Sequence, residues 1–433
     1  MILEKYFSLE NIQNTYYDSI FYSSVVGIDK MTSKYFFKNI DENIKSISKA
    51  IISGNYEFKS YKVSLIPKNF TDPPRKVCIP TIKDRIVIEI LKEIIYDSYE
   101  GYKINNNISS IIFNFTADYR SNNYKYYFKT DISTFFDAID HKILIKKLKK
   151  IIKDDGVIKI INDVLKNTQI YNGEKIKSTK GIPQGLAIST LLANIYLMDL
   201  DRDFQEKKNI KYYRYVDDIF IFGNNNIFVE KEKLIYKIKR LKLKVNKKKT
   251  ITNKIGKEFN FLGYKISKDC ISVKDKSIKK IETSIENIFK KYSKDKNKES
   301  LKFKLNTRIT GIIIDNKKYG WLFYFSNIDN MELLYHLDKL VTKLKYRYNV
   351  TDIKTKSFVK TYHKIKKSNF KKSNYFLNLN VVTESEKRQI LKNISRMSEE
   401  EINTLSPSNL DYYFKKEMFK CLKELERDLD SIS

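Results

Sequence analysis

Two adjacent acids, Asp217 and Asp218, interrupt an apolar and aromatic run, with YYRY before them and IFIFG after. Successive side chains of a strand point to opposite faces, so neighbouring acids cannot share one face of a regular strand. A hairpin turn resolves the conflict, and Asp is common in turns. A third acid, Asp131, ends the aromatic stretch YKYYFKTDI far upstream. An acid at one strand end and two more on a neighbouring hairpin would make a cluster that repels itself unless divalent cations neutralise it. Two Mg²⁺ ions held in this way suit phosphoryl transfer. One lowers the pKa of an attacking 3′-hydroxyl; the other binds the triphosphate and stabilises the leaving pyrophosphate. Mg²⁺ takes few protein carboxylates and leaves sites for phosphate oxygens. The plainer alternative for Asp217-Asp218 is a solvated turn.

The elements that must position these acids are legible in the periodicity. Residues 1–60 read as helical and basic-amphipathic. Residues 61–80 alternate apolar and polar around Pro67, Pro73, Pro74 and Pro80, a strand–turn–strand pattern. The stretch IKDRIVIEILKEIIYDS, 82–98, has helical spacing. Residues 124–132 read as a strand, Ile143–Ile152 as an amphipathic helix and Gly181-Ile182-Pro183 as a turn. Leu186–Asp203 reads as a helix, and 211–223 as two strands flanking the acid pair. A turn at Asn246–Lys249 and a strand at Glu258–Tyr264 follow. Beyond about residue 275 the pattern is helical and basic. Thr383-x-x-Glu386 and Ser398-x-x-Glu401 fit capping boxes, and the last stretch reads as a separate helical element.

Composition narrows the partner. The chain has 433 residues and a formal net charge of +31, from 83 Lys+Arg against 52 Asp+Glu. That excess would repel itself in a compact fold unless a polyanion screens it, which points to nucleic acid ahead of anionic lipid. A Lys-, Asn-, Ile- and Tyr-rich coding bias is the alternative. Cys78, Cys270 and Cys421 lack CxxC spacing, and His141, His336 and His363 are scattered. A structural zinc site and a disulfide framework are therefore disfavoured. No apolar stretch of about 18 residues occurs, and the N-terminus lacks an apolar signal core. The expectation is a cytoplasmic protein without a membrane partner.

With these residues in hand a family resemblance can be stated. Asp131-Ile-Ser-Thr-Phe-Phe136-Asp-Ala-Ile-Asp-His141 resembles the palm motif A of prokaryotic reverse transcriptases. Gly181-Ile-Pro-Gln-Gly185 resembles their motif B, and Tyr215-Val-Asp-Asp218 motif C. Asn246-Lys-Lys-Lys249-Thr resembles motif D, and Phe261-Leu262-Gly263-Tyr the primer-grip motif E. Lys68 and Arg75, before Ile79-Pro80-Thr81, have the spacing of the fingers residues that hold an incoming triphosphate, and Asp84-Arg85 also fits. The motifs stand in the family's order. One departure is Asn105-Asn-Asn-Ile-Ser-Ser110, where the family carries a Gly-Phe-Arg signature for template handling.

The resemblance implies an α+β right-hand polymerase (fingers, palm and thumb) with an antiparallel palm sheet and a helical C-terminal extension. Its expected parts are residues 1–125 as N-terminal helices and fingers and 126–265 as palm, with a fingers insertion at about 141–180. Residues 266–345 would be the thumb and 346–433 the extension. Asp131, Asp217 and Asp218 would be catalytic and, with the Ile132 carbonyl, would hold two Mg²⁺ ions. Lys68, Arg75, Phe136, Gln184, Gly185 and Lys249 would handle the nucleotide. Phe136 would be a steric gate against a ribose 2′-OH, with Phe135 as its core neighbour. Lys249 could protonate pyrophosphate or belong to a solvated Lys face. Tyr215, Phe261, Leu262 and Gly263 would meet primer or template, though Tyr215 could simply pack. Arg308-Ile-Thr-Gly311 and the Tyr319–Phe325 aromatic run could hold phosphates and stack bases, with Trp321 as a core anchor.

Implied partners are an RNA template, a DNA product and dNTPs. The thumb and tail most resemble the defence-associated (DRT, unknown-group) enzymes related to retron and group II intron reverse transcriptases. That likeness implies antiphage immunity, a companion non-coding RNA, and a homo-oligomer or second polymerase subunit. Competing readings are a retron-type enzyme, a protein-primed or untemplated DNA polymerase, an RNA-directed RNA polymerase, and a non-catalytic RNA-binding protein on a polymerase fold.

Overall fold

The computed structural model describes residues 2–67, 73–99, 108–121, 123–314, 317–367, 375–395 and 397–429. Lys68 and the departure at 105–107 lie outside the described residues. The chain divides into two units: residues 1–104 with 121–255, and residues 105–120 with 256–433.

The strands of the first unit are β1 (Tyr61–Ile66), β2 (Arg75–Ile79), β3 (Tyr126–Asp131), β4 (Gln169–Tyr171), β5 (Glu174–Ile176), β6 (Ile210–Tyr215), β7 (Asp218–Gly223) and β8 (Ile251–Lys254). They form two sheets of order β2-β1-β4-β5 and β6-β7-β3-β8. The second sheet is wholly antiparallel. Its two inner strands are the most apolar. Tyr127, Phe128 and Thr130 of β3 and Ile219–Phe222 of β7 are all buried, as strands covered on both faces must be. Helix Ser189–Gln205 packs near β6 and buries Leu191, Leu192, Ile195, Tyr196 and Leu200. One apolar core runs from the N-terminal helices through this sheet.

Helix Ile82–Ser98 begins where Thr81 caps the Asp84 amide. The Asp84 carboxylate is almost wholly buried and returns the bond, accepting from the Thr81 hydroxyl at 2.7 Å and from Tyr56 at 2.9 Å. Burial pushes it up to about 6 despite those bonds.

The second unit carries β9 (Phe259–Phe261), β10 (Tyr264–Ile266), β11 (Ile271–Val273), β12 (Ile312–Ile314), β13 (Lys317–Tyr319) and β14 (Leu377–Asn378). They form three-stranded sheets of order β11-β10-β9 and β13-β12-β14. Helix Ile108–Arg120 stacks Phe115 on Phe261, with centroids 4.7 Å apart. The long basic helices Asp275–Asp295, Lys298–Thr310 and Met331–Arg347 follow.

The structure amends the sequence reading here in three places. The single strand expected over Glu258–Tyr264 is a hairpin, with Phe261 opposite Tyr264 and Leu262-Gly263 as the turn. The expected all-helical region holds the β12–β13–β14 sheet. Its strands are too short to show a period, and they close around Gly311, where a Cβ would lie 2.2 Å from the Tyr319 carbonyl. Arg308 is not free to hold phosphates. It is buried, donates to Asp428 at 2.6 Å and to the Glu424 carbonyl at 2.9 Å, and so ties helix Lys298–Thr310 to the end of helix Pro407–Arg427. The C-terminal helices therefore share this unit's packing: Leu391, Leu410, Phe414 and Met418 form a core against which Phe303 packs.

Trp321 is fully buried, 4.9 Å from the Phe325 ring. Both anticipated capping boxes form, at Thr383/Glu386 and Ser398/Glu401. Among the described residues no helix is long and apolar enough to cross a membrane.

Arg308→Met would leave the Asp428 carboxylate buried without its partner, at a cost of roughly 3–5 kcal/mol. The expected outcome is a lower urea midpoint, read by the fluorescence of Trp321, the chain's one Trp. An unchanged midpoint would show that the pair is not structural.

Candidate active site

β3 and β7 are in register such that Asp131 lies directly opposite Asp218, and β6 places Tyr215 opposite the same residue. Directly opposed residues of an antiparallel pair leave the sheet on one face, with Cβ atoms about 4.5–5.5 Å apart. Val216 and Asp217 make the two-residue turn between β6 and β7. Val216 takes φ +55°, a left-handed conformation that a β-branched residue adopts only under constraint. The Ile132 amide donates to the Asp217 carbonyl at 3.2 Å, which holds the turn against the end of β3.

A second segment straps across the same strand end. Ile132 bridges Val245, the Asn246 amide donates to the Asp131 carbonyl at 2.7 Å, and the Ser133 amide donates to the Lys244 carbonyl at 2.8 Å. This brings the Asn246 side chain to 3.3 Å and the Lys249 ammonium to 2.9 Å from Asp131 Oδ2.

The electrostatics follow from this crowding. Burial first, then the charges of Asp131 and Asp218 and a hydrogen bond with Asp131, push the Asp217 carboxyl up to about 7. Burial pulls Lys249 down, but its bond to Asp131 and the three acidic charges outweigh that and raise it.

The donor set is all oxygen and concentrates negative charge, which fits a hard divalent cation such as Mg²⁺. As the side chains stand, no group of three or more His, Cys, Asp or Glu among the described residues converges tightly enough to hold a metal ion. Asp131 is engaged by Lys249 and Asn246 instead. The fit therefore rests on charge and donor chemistry, with the Lys249 ammonium supplying part of the compensation.

The remaining expected residues fall into three places. The turn at 181–185 is pinned to the segment after Asp131. The Ile182 amide donates to the Phe136 carbonyl, and the Gly181 amide to the Ile139 carbonyl, both at 2.7 Å. His141 Nε2 lies 2.6 Å from the Gly181 carbonyl and, facing an acceptor, must carry the proton. Phe135 is in the core, while Phe136 is half-buried.

The same turn abuts β2, since the Cys78 amide donates to the Gln184 carbonyl at 2.7 Å. Gly185, at φ +97°, would put a Cβ 2.5 Å from the Val77 side chain and 2.9 Å from the Cys78 carbonyl, so a side chain there would clash. Arg75 begins β2 and is exposed. Phe261, Leu262 and Gly263 belong to the second unit, where Leu262 (φ +47°) and Gly263 (φ +78°) form the tight β9–β10 turn.

Residues the sequence reading missed support the acid-bearing turn from beneath. Arg214 on β6 and Asp201 and Asn194 on helix Ser189–Gln205 form a buried polar cluster. A basic residue inside an aromatic strand is a signal that a buried partner must exist, but nothing in the sequence says which acid it is.

Residues 66–266 match the family model described as reverse transcriptase (RNA-dependent DNA polymerase). The group II intron-encoded protein LtrA of Lactococcus lactis subsp. cremoris is 29% identical over 170 residues, 37% of this chain and 28% of LtrA. A putative COX1/OXI3 intron 2 protein of Saccharomyces cerevisiae is 29% identical over 213 residues, 47% of this chain and 24% of that protein. The matches thus span about a quarter of these relatives' lengths. A solved structure of telomerase from Candida albicans with a TWJ fragment of telomeric RNA superposes with a TM-score of 0.46 at 13% identity. It covers 87% of this chain and 69% of that one.

The Asp217 shift has a sign that can be tested. The folded state holds this proton more tightly than the unfolded chain, whose pKa is near 3.8. Stability of the metal-free protein therefore falls as pH rises from that value through about 7, and stays lower above it. In chelator, Asp217→Asn should melt at a higher temperature than the parent at pH ~8, with the gap closing toward pH ~4. Equal melting temperatures at both ends would refute the crowding.

Proposed function

We propose that this chain, whose residues 66–266 match the reverse transcriptase family model, is an RNA-directed DNA polymerase. The observation that carries the reading is the register of Asp131 opposite Asp218, with Asp217 in the adjoining turn. Asp131, Asp217, Asp218 and the Ile132 carbonyl would hold two Mg²⁺ ions. Bound there, the ions would activate the primer 3′-hydroxyl and neutralise the triphosphate.

This chain's own groups would do the rest. Arg75, with Lys68, would pair with triphosphate oxygens, Arg75 as a fork. The Gln184-Gly185 turn, whose backbone packs against β2, would help position the nucleotide and the template base it pairs with. The half-buried Phe136 ring would lie against the sugar C2′ and leave no room for a 2′-hydroxyl. Lys249, whose ammonium is held near the acids, would donate a proton to the departing pyrophosphate. Tyr215 would back the primer terminus, and Phe261, Leu262 and Gly263 would grip the primer strand. We assign fingers, palm, thumb and extension as the sequence reading divides them.

The substrates would be an RNA template, a DNA primer end and dNTPs. Within the family we favour a role in antiphage defence with a companion non-coding RNA, on the likeness of the thumb and tail segments to the defence-associated enzymes. Homo-oligomerisation or a second polymerase subunit belongs to the same proposal.

The test is primer extension on an RNA template with Mg²⁺ and dNTPs. The parent should incorporate dNTPs, and Asp217→Ala with Asp218→Ala should abolish it. A double variant as active as the parent would refute the metal assignment; a parent that binds RNA but incorporates nothing would favour the non-catalytic reading. Phe136→Ala should admit rNTPs with dNTP incorporation retained, measured as the ratio of kcat/KM for the two sugars. An unchanged ratio would remove Phe136 as the gate.

A further inference from the structure

The turn that carries Asp217 is strained, and one side chain holds it. Val216 sits at φ +55°, and its carbonyl accepts from Arg214 Nη1 at 2.7 Å. The same nitrogen donates to the Asn194 side-chain carbonyl at 3.1 Å. Arg214 Nε donates to Asp201 Oδ1 at 2.6 Å, and Nη2 donates to Asp201 Oδ2. Tyr212, two residues back on β6, also donates to Asp201 Oδ1, at 2.9 Å. The Arg214 and Asp201 side chains are 6% and 4% exposed, so water does not compete for these bonds.

We infer that Arg214 is a positioning residue for the acid pair: through its bond to the Val216 carbonyl it fixes the turn that places Asp217 and Asp218. Three features lead there. A planar guanidinium can serve a bidentate carboxylate and two further acceptors at once, which an ammonium cannot do in a fixed plane. A β-branched residue at positive φ stays there only when the surroundings over-determine it. The anchor itself is rigid, because Asn194 and Asp201 both belong to helix Ser189–Gln205, which follows the Gln184-Gly185 turn. One helix thus keys the carboxylate turn and the nucleotide turn to a common frame. Arg214 touches no reacting atom in this scheme. It acts through the position of Asp217.

The inference rests on the polymerase reading, and one experiment separates the two. Steady-state dNTP incorporation is measured for the parent, Arg214→Lys, Asn194→Ala and Arg308→Lys, each normalised to folded protein, together with the Mg²⁺ concentration giving half the maximal rate. Arg308→Lys loosens another buried Arg–carboxylate pair, at Asp428, and serves as the stability control.

Arg214→Lys should lower kcat by on the order of 10²-fold, as displacement of a catalytic group by about 1 Å does. It should also raise the Mg²⁺ requirement while leaving KM for dNTP little changed. Asn194→Ala, which frees one Arg214 contact, should move the same quantities less; it keeps the test open if Arg214→Lys does not fold. Arg308→Lys should lower the melting temperature and leave kcat unchanged. If Arg214→Lys and Asn194→Ala keep the parent's kcat and Mg²⁺ dependence, the positioning role is overturned while the polymerase reading stands. A parent that incorporates nothing overturns both.

Discussion

Antiparallel pairing sets Asp131 directly opposite Asp218, and like charges in that position oppose the register that creates them. Much of the first unit can be read as a response to this opposition. The strands bearing the acids are the most deeply buried of their sheet, so apolar packing of Phe128, Ile219 and Ile221 holds a register that the charges alone would disfavour. The Lys249 ammonium comes to Asp131, and Asp217 retains its proton to about neutral pH. Each relieves part of the repulsion.

The same constraint accounts for the polar bonds around the site. An acid cluster on an unbraced turn would splay apart. Here the turn is held on one side by the Ile132 amide and on the other by Arg214, and the 244–249 segment crosses the end of β3. The turn at 181–185 is fixed in turn to the Phe136 and Ile139 carbonyls and to β2. Backbone groups make most of these ties, and backbone bonds keep their geometry whatever the side chains exchange during function.

The second unit relies on different physics. Three of its helices, Asp275–Asp295, Lys298–Thr310 and Met331–Arg347, are long and basic, and it is held by aromatic packing around Trp321, by the Phe115–Phe261 stack and by the buried Arg308–Asp428 pair. Arg308 shows how composition can mislead. In sequence it is one cation among many in a chain of net charge +31, yet its surroundings make it a tether between helices.

What the sequence determined by itself was local chemistry and local period. The apolar runs, the acids that break them, the Gly181–Gly185 turn and the capping boxes at Thr383 and Ser398 all depend on neighbours a few residues away. They could be read before any fold was known. The tertiary structure alone decided which partners other distant residues find: Lys249 with Asp131, Arg214 with Asp201 and Asn194, Arg308 with Asp428. It also decided the β12–β13–β14 sheet of the second unit, whose strands are shorter than any period can register. The physical reason is common to all of these. A buried charge or a three-residue strand is defined by what closes over it, and the closing groups lie tens to more than a hundred residues away along the chain.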